Sequence, residues 1–315
     1  MATVPEKDQM SVFLINGFLE AGKTKFLKFT LGQDYFQTSG TTLLLLCEEG
    51  EEEYPPELLQ KTRTVCETID SPEQLNPGHL TDLQLMHDPE RIIIEWNGMW
   101  DPGLLHMPDA WSLHQQITII DGSTLDVYLK NMKPLLGKML LATEMSIVNR
   151  CDGIEDLDQY RLTLRAMNRD CQFVFEDKDG EITGIPEMDL PYDLSAEVLD
   201  IQPSAYGVWY FDCMDRRDRY EGKVVEYTAM VLKRPTFPKN YFVPGRMAMT
   251  CCADDMTFVG FACKAREARH LETRQWVRLR GRIAYEYWPD YGEEGPVIHA
   301  EWVKDAQPIK EPVTF

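Results

Sequence analysis

Gly17-Phe18-Leu19-Glu20-Ala21-Gly22-Lys23-Thr24 reads G-x-x-x-x-G-K-T, and that spacing of glycines, lysine and hydroxyl suits a phosphate-binding loop. Backbone N–H groups in the loop and the N-terminal end of a following helix attract a polyphosphate. The lysine reaches its terminal oxygens and the hydroxyl ligates Mg²⁺. The flanks agree with this use. Val12-Phe13-Leu14-Ile15 is an apolar run of buried-strand type ahead of the loop, and Lys25–Leu31 is helix-capable behind it. The expectation is strand, loop and helix, with Gly17, Glu20, Ala21, Gly22, Lys23, Thr24 and Lys25 against a nucleotide. Lys23 then carries catalytic charge and Thr24 holds Mg²⁺.

Further apolar runs continue the pattern at Thr42–Leu46, Arg91–Ile94, Gln116–Ile120, Met145–Val148 and Gln172–Phe175, with helix-like segments at Ser123–Leu136 and Ile154–Met167 between them. Continuous Ile/Leu/Val runs without polar alternation imply strands buried on both faces, as in a mostly parallel sheet sandwiched by helices. The segment 177–204 is acidic and proline-bearing, and reads as a linker or an irregular excursion. Beyond it the texture changes to short, aromatic, β-prone runs: Tyr206–Phe211, Gly222–Leu232, Gly245–Cys252, Thr257–Cys263, Gln275–Tyr287 and Pro296–Val303, with a helical piece near Lys264–Thr273. This predicts a smaller all-β barrel of OB type, or a β-sandwich. The organisation expected is an α/β P-loop NTPase domain over 1–176, a linker over 177–204 and a β-rich OB-like domain over 205–315.

Charge divides along the same line. Residues 1–200 hold 15 basic and 36 acidic side chains, whereas 201–315 hold 17 and 16. An acidic first unit repels a phosphate backbone, so nucleic acid is not an expected partner. In the second unit Trp276, Tyr285, Tyr287 and Trp288 could stack bases, but a near-neutral barrel lacks a backbone-tracking groove. No apolar run reaches the roughly 18 residues that span a bilayer, and the N-terminus lacks a basic and apolar signal, so a cytoplasmic location is expected. The 8 cysteines then default to reduced thiols or metal ligands.

Ser146-Ile147-Val148-Asn149-Arg150-Cys151-Asp152 ends a strand in N-R-x-D. In GTPases the motif N-K-x-D supplies an Asp that accepts from guanine N1 and N2, so Asn149, Arg150 and Asp152 are candidates for reading the base. Arg for Lys is not a neutral exchange. With the loop, this stretch resembles the CobW-type GTPases, a branch of P-loop GTPases tied to metal insertion and trafficking. The family loop G-F-L-G-A-G-K-T stands here as G-F-L-E-A-G-K-T, and its N-E-F-G-E as Cys47-Glu48-Glu49-Gly50-Glu51. Its E-S-S-G-L-A-D-P resembles Glu95-Trp96-Asn97-Gly98-Met99-Trp100-Asp101-Pro102. The resemblance implies GTP with Mg²⁺, Glu95 near the ion or the attacking water, and Gly98 allowing backbone close to the γ-phosphate. Phosphoryl transfer of this kind needs positioning and charge neutralisation, so slow GTP hydrolysis is the expected activity. Glu20, Lys25, Trp96 and Trp100 depart from the family pattern and point to weakened hydrolysis.

The family's C-x-C-C metal motif has its counterpart in Thr64-Val65-Cys66-Glu67. Losing thiolates disfavours Zn²⁺, which leaves Cys66 and Glu67, with Glu48 nearby, as a weak site for a transition metal or as ordinary packing. The acidic run Glu48–Glu53 reads as a switch loop or a solvated face. In the second half, the string from Phe242 through Cys251-Cys252-Ala253-Asp254-Asp255 resembles the C-terminal domain of YcgQ-like, permease-associated proteins. That resemblance implies a protein partner such as a permease or a metalloprotein. Cys251 or Cys252 with Cys263, Asp254 or Asp255 forms a further candidate metal set. Oligomerisation stays open. The two functions weighed are a slow GTPase in metal homeostasis and a non-catalytic nucleotide-binding scaffold.

Overall fold

The computed structural model describes residues 9–48, 50–184, 189–249 and 256–315. The chain divides into two compact units, 1–186 and 187–315. The first alternates strands and helices: β1 (Met10–Asn16), α1 (Lys23–Leu31), β2 (Thr41–Leu46), α2 (Pro56–Lys61), β3 (Thr64–Thr68), α3 (Pro77–His87), β4 (Pro89–Glu95), β5 (Trp111–Asp121), α4 (Leu125–Asn131), α5 (Lys133–Leu140), β6 (Met145–Asn149), α6 (Leu157–Met167), β7 (Gln172–Asp177) and β8 (Gly180–Glu181). The sheet order is β3-β2-β4-β1-β5-β6-β7-β8. Every neighbouring pair from β3 to β7 is parallel, and only β8 turns back antiparallel on β7. The unbroken apolar runs have the expected cause. Ile92 and Ile94 of β4 pack in one cluster with Leu43 and Leu45, while Ile93 packs in another with Leu44 and Leu27 of α1. Successive side chains of one strand thus serve opposite faces, and both faces are covered.

All six expected strands of this unit are present, and β3 was missed because its residues were read as a remnant metal motif. The single helix expected over 123–136 is two, since Pro134 sits in the first turn of α5, where its missing N–H costs nothing.

The second unit comprises β9 (Val198–Asp200), α7 (Tyr206–Asp215), α8 (Arg217–Tyr220), β10 (Val224–Leu232), β11 (Tyr241–Met249), β12 (Met256–Gly260), β13 (Ala262–Lys264), β14 (Trp276–Trp288) and β15 (Glu293–Asp305). Its strands close a ring: β10 pairs with β11, β11 with β13, β13 with β15, β15 with β14, and β14 with β10. The β13–β15 pairing alone in that ring is parallel. This is the five-stranded Greek-key connectivity of an OB barrel, and the sandwich alternative falls away.

Three expectations are corrected here. The segment 177–204 is not a bare linker: it supplies β8 to the first sheet and β9, parallel to β10, to the second. Tyr206–Phe211, taken as β-prone, is the helix α7. Tyr206, Trp209 and Cys213 recur at helical spacing and all enter the barrel core, so tertiary burial overrides the strand preference of the aromatics. The helical piece expected near 264–273 is only a short 3₁₀ turn at Glu267–Arg269.

Candidate functional site

In an open parallel sheet, ligands sit outside the carboxyl ends of the strands, where the connections diverge to either side. Here the phosphate loop follows β1, the acidic run follows β2, Trp96–Asp101 follows β4, Asp121 ends β5, and Asn149–Asp152 leaves β6. Five separate stretches of sequence therefore meet at one edge.

The loop's backbone is shaped by its glycines. Gly17 has φ 141° and a Cβ there would lie 2.3 Å from the Ile119 carbonyl oxygen; Gly22, with φ 102°, caps α1. Glu20 also adopts a left-handed φ, 60°, where the related family has glycine. A side chain in that region costs about 1–2 kcal/mol, so Glu20 is held at a strained position. Gly98 meets the loop itself. A Cβ on it would come 2.2 Å from the Gly17 carbonyl oxygen and 2.7 Å from Phe18 Cα. Its bareness lets the segment after β4 lie directly on the loop's backbone.

Lys23 is 3% exposed. Its Nζ donates to the carbonyls of Gly17 at 2.9 Å and Phe18 at 2.8 Å, and to Glu48 Oε2 at 2.5 Å. Thr24 Oγ1 donates to Glu95 Oε1 at 2.6 Å, and the Tyr54 hydroxyl donates to Glu95 Oε2 at 2.5 Å. The acidic run is thus fastened over the loop: Glu48 on Lys23, the Glu51 N–H on Glu20 Oε1 at 3.2 Å, and Glu52 on Lys28 at 2.5 Å. The free volume beside Lys23 is about 30 Å³, roughly one water's share of liquid volume. Burial pushes the Glu48 carboxyl above its usual range, opposed by Lys23 and reinforced by Glu95 and Glu20.

A second cavity, of about 550 Å³, opens on the other side of the loop. Phe26, Phe29, Asn149, Arg150, Asp152 and Glu176 are among the residues lining it, together with Lys25. Asn149 Nδ2 donates to the Ala21 carbonyl at 2.8 Å, tying β6 to the phosphate loop, whereas its Oδ1 is buried without a hydrogen-bond partner. Such an acceptor is costly unless something donates to it. Arg150 donates to the Glu20 carbonyl at 3.0 Å and pairs with Asp121, so its guanidinium is held at the cavity wall. The Lys178 N–H meets Asp152 Oδ1 at 3.3 Å.

The donor set beside β3 does not suit a transition metal. Glu67 pairs with His87 at 2.8 Å, while Cys66 packs into the α1-side cluster with Leu44 and Ile93. Neighbours on a strand point to opposite faces, so Cys66 and Glu67 do not converge. Burial, then the charges of Glu95 and Glu67, raise the Cys66 thiol to about 11, which keeps it protonated near neutrality. Among the described residues no group of three or more His, Cys, Asp and Glu side chains is placed to hold a metal ion. Substituting Cys66→Ser is expected to leave Zn²⁺ retention after dialysis unchanged, measured by plasma mass spectrometry. Cys263 is buried in the barrel core, and Cys251, Cys252, Asp254 and Asp255 lie outside the described residues.

Of the predicted site residues, the loop, Glu95, Asn149, Arg150 and Asp152 come together, and Gly98 supports them. Tyr54 and Asp121 were missed, and Glu48 was read as part of a family motif, a switch loop and a metal neighbour but not as the partner of Lys23. Their partners are 41, 29 and 25 positions away in sequence, so local spacing carries no sign of them. Among the described residues no helix is long and apolar enough to cross a membrane.

No curated protein matches the chain. Among solved structures, Zn(II)-bound YjiA GTPase from E. coli is 16% identical, covering 80% of this chain and 89% of that one with a TM-score of 0.42. HypB from Helicobacter pylori in complex with nickel is 13% identical over 55% and 81%, at 0.37. An OBody bound to hen egg-white lysozyme is 8% identical over 32% and 94%, at 0.23. Residues 186–315 match the DUF1980 C-terminal domain. Residues 11–175, more than half of the chain, match the CobW/HypB/UreG nucleotide-binding domain, and the protein belongs to that family.

Proposed function

We propose that the first unit binds GTP with Mg²⁺ and hydrolyses it slowly, as a nucleotide-controlled switch in metal homeostasis. The observation that carries this reading is the cavity walled by Asn149, Arg150 and Asp152 directly beside the phosphate loop. Lys23 and the loop N–H groups would hold the β- and γ-phosphates. Thr24 and Glu95, already within 2.6 Å of each other, are the residues to hold Mg²⁺, which when bound neutralises phosphate charge. Tyr54 orients the Glu95 carboxylate. Asp152 would accept from guanine N1 and N2, which adenine cannot match. The second unit is proposed as the partner-contacting module, for a membrane transporter or a metalloprotein.

Calorimetric titration with GTP, ATP and their diphosphates in Mg²⁺ tests the nucleotide reading. GTP is expected to bind and ATP to bind weakly or not at all, and equal affinities would end it. Asp152→Ala is expected to lower GTP affinity about tenfold, two charge-assisted hydrogen bonds being lost at an exposed, screened position, with little change for ATP.

A non-catalytic scaffold is the second reading, favoured by Glu48 occupying Lys23 and by the carboxylate of Glu20 inside the loop. Phosphate release from GTP under single-turnover conditions separates the two, because the scaffold predicts binding without release.

A further inference from the structure

Arg246 of β11 is 2% exposed. Its guanidinium donates to the carbonyls of Pro203 at 2.8 Å and Glu311 at 2.7 Å, and stands over the Tyr206 ring at 5.6 Å. Both oxygens are neutral. No carboxylate of the described residues forms an ion pair with it, and the Glu311 carboxylate acts on it only through space. The neighbouring arginines differ: Arg278 pairs with Glu226 and Asp200, each at 2.7 Å, and Arg280 pairs with Glu226 at 2.6 Å.

A guanidinium cannot shed its charge and has five N–H donors. Arginine is almost never fully buried without a compensating partner, because desolvating the cation costs several kcal/mol. Arg246 borders a cleft of about 360 Å³ on the barrel's outer wall, lined also by Gln202, Thr228, Arg278 and Gln307. The amides and the hydroxyl add neutral donors, and Arg278, 39% exposed and already paired with Glu226 and Asp200, adds N–H donors that an anion would share with those carboxylates.

We propose that this cleft is an anion site of the second unit, taking a small oxyanion, phosphate or carboxylate, on Arg246 with Arg278 as its outer clamp. A purely structural clamp between Pro203 and Glu311 would explain the two carbonyl bonds but not a buried cation without an ion-pair partner among the described residues at the wall of a polar cleft. The site is independent of the nucleotide reading of the first unit.

The test uses the full chain carrying Lys23→Ala, which removes phosphate capture at the loop. Inorganic phosphate and malonate are titrated separately by calorimetry at constant ionic strength. Saturable one-site binding of at least one is expected, weakened about tenfold or more by Arg278→Gln and lost in Arg246→Met. Tighter phosphate binding identifies a phosphoester source, and tighter malonate binding a carboxylate source. Arg278 is partly exposed, so Arg278→Gln carries the test if Arg246→Met fails to fold. Heats that do not saturate, or binding that Arg278→Gln leaves unchanged, overturn the proposal.

Discussion

Lys23→Ala and Glu48→Gln are expected to move nucleotide affinity in opposite directions. The first removes the cation that a polyphosphate needs and should reduce GTP binding at least 100-fold, since several charge-assisted contacts of about 1.5–3 kcal/mol are lost together. The second removes the carboxylate that now holds Lys23 Nζ at 2.5 Å. Glutamine keeps the shape and an acceptor oxygen, but no longer opposes an incoming phosphate with a like charge. Breaking one side of a buried pair is worth about 3–5 kcal/mol. Only part of that difference reappears as binding, so a gain of about 10- to 30-fold is the expected reading in calorimetry. Unchanged affinity in Glu48→Gln would mean that the acidic run swings aside at no cost.

The same contact sets a pH dependence. Burial raises the Glu48 carboxyl above its ordinary value, so it takes up a proton at a higher pH than a free glutamate does. As pH falls toward that raised value the protonated fraction rises and the charge pairing with Lys23 is lost. Nucleotide affinity should therefore increase toward acid pH in the wild type more steeply than in Glu48→Gln, which cannot titrate. The difference between the two profiles cancels titration of the nucleotide's own phosphates. By the same linkage, a carboxyl raised on folding favours the native state most at low pH, and that contribution is lost as pH rises through its folded value.

Gly98→Ala is expected to have an effect of similar size through packing alone. The added methyl would sit 2.2 Å from the Gly17 oxygen and 2.7 Å from Phe18 Cα. These are backbone atoms, which cannot swing away as a side-chain tip can. Overpacking of this kind costs about 1–3 kcal/mol, and relief requires the loop to move. Displacement by about 1 Å costs on the order of 100-fold where geometry is exacting, so GTP binding should fall by about that factor. The melting temperature should fall with it by several degrees. A Gly98→Ala protein with wild-type affinity would show that the loop does not depend on this contact.

The contrast between Gly98 and Glu48 shows what could be read from the sequence. Gly98 was picked out by its motif, but its contact with Gly17 and Phe18 was not, because a motif says that a residue must be small without saying what approaches it. The strands were legible because β1, β2, β4 and β5 are buried on both faces and so read as unbroken apolar runs. The barrel was legible from its turns and strand count. Helix α7 was not, because its aromatics suit a strand locally and only packing inside the barrel decides otherwise. Glu48, Tyr54 and Asp121 act through partners on other elements, Lys23 of α1, Glu95 of β4 and Arg150 just after β6, and such contacts follow from strand order, which no local pattern encodes.

That strand order also bears on synthesis. Among the described residues β1 pairs with β4 and β5 alone, so it waits for Pro89–Glu95 before it has a first neighbour and for Trp111–Asp121 before it has both. The loop behind it needs Gly98 and Ile119 to fix its backbone and Asn149 to tie it down. At about 5–20 residues per second, the ribosome keeps this segment unpaired for several seconds. Nucleotide therefore cannot act as an early folding template: a chain halted before β6 has emerged should not bind GTP, however complete its glycine loop is in sequence.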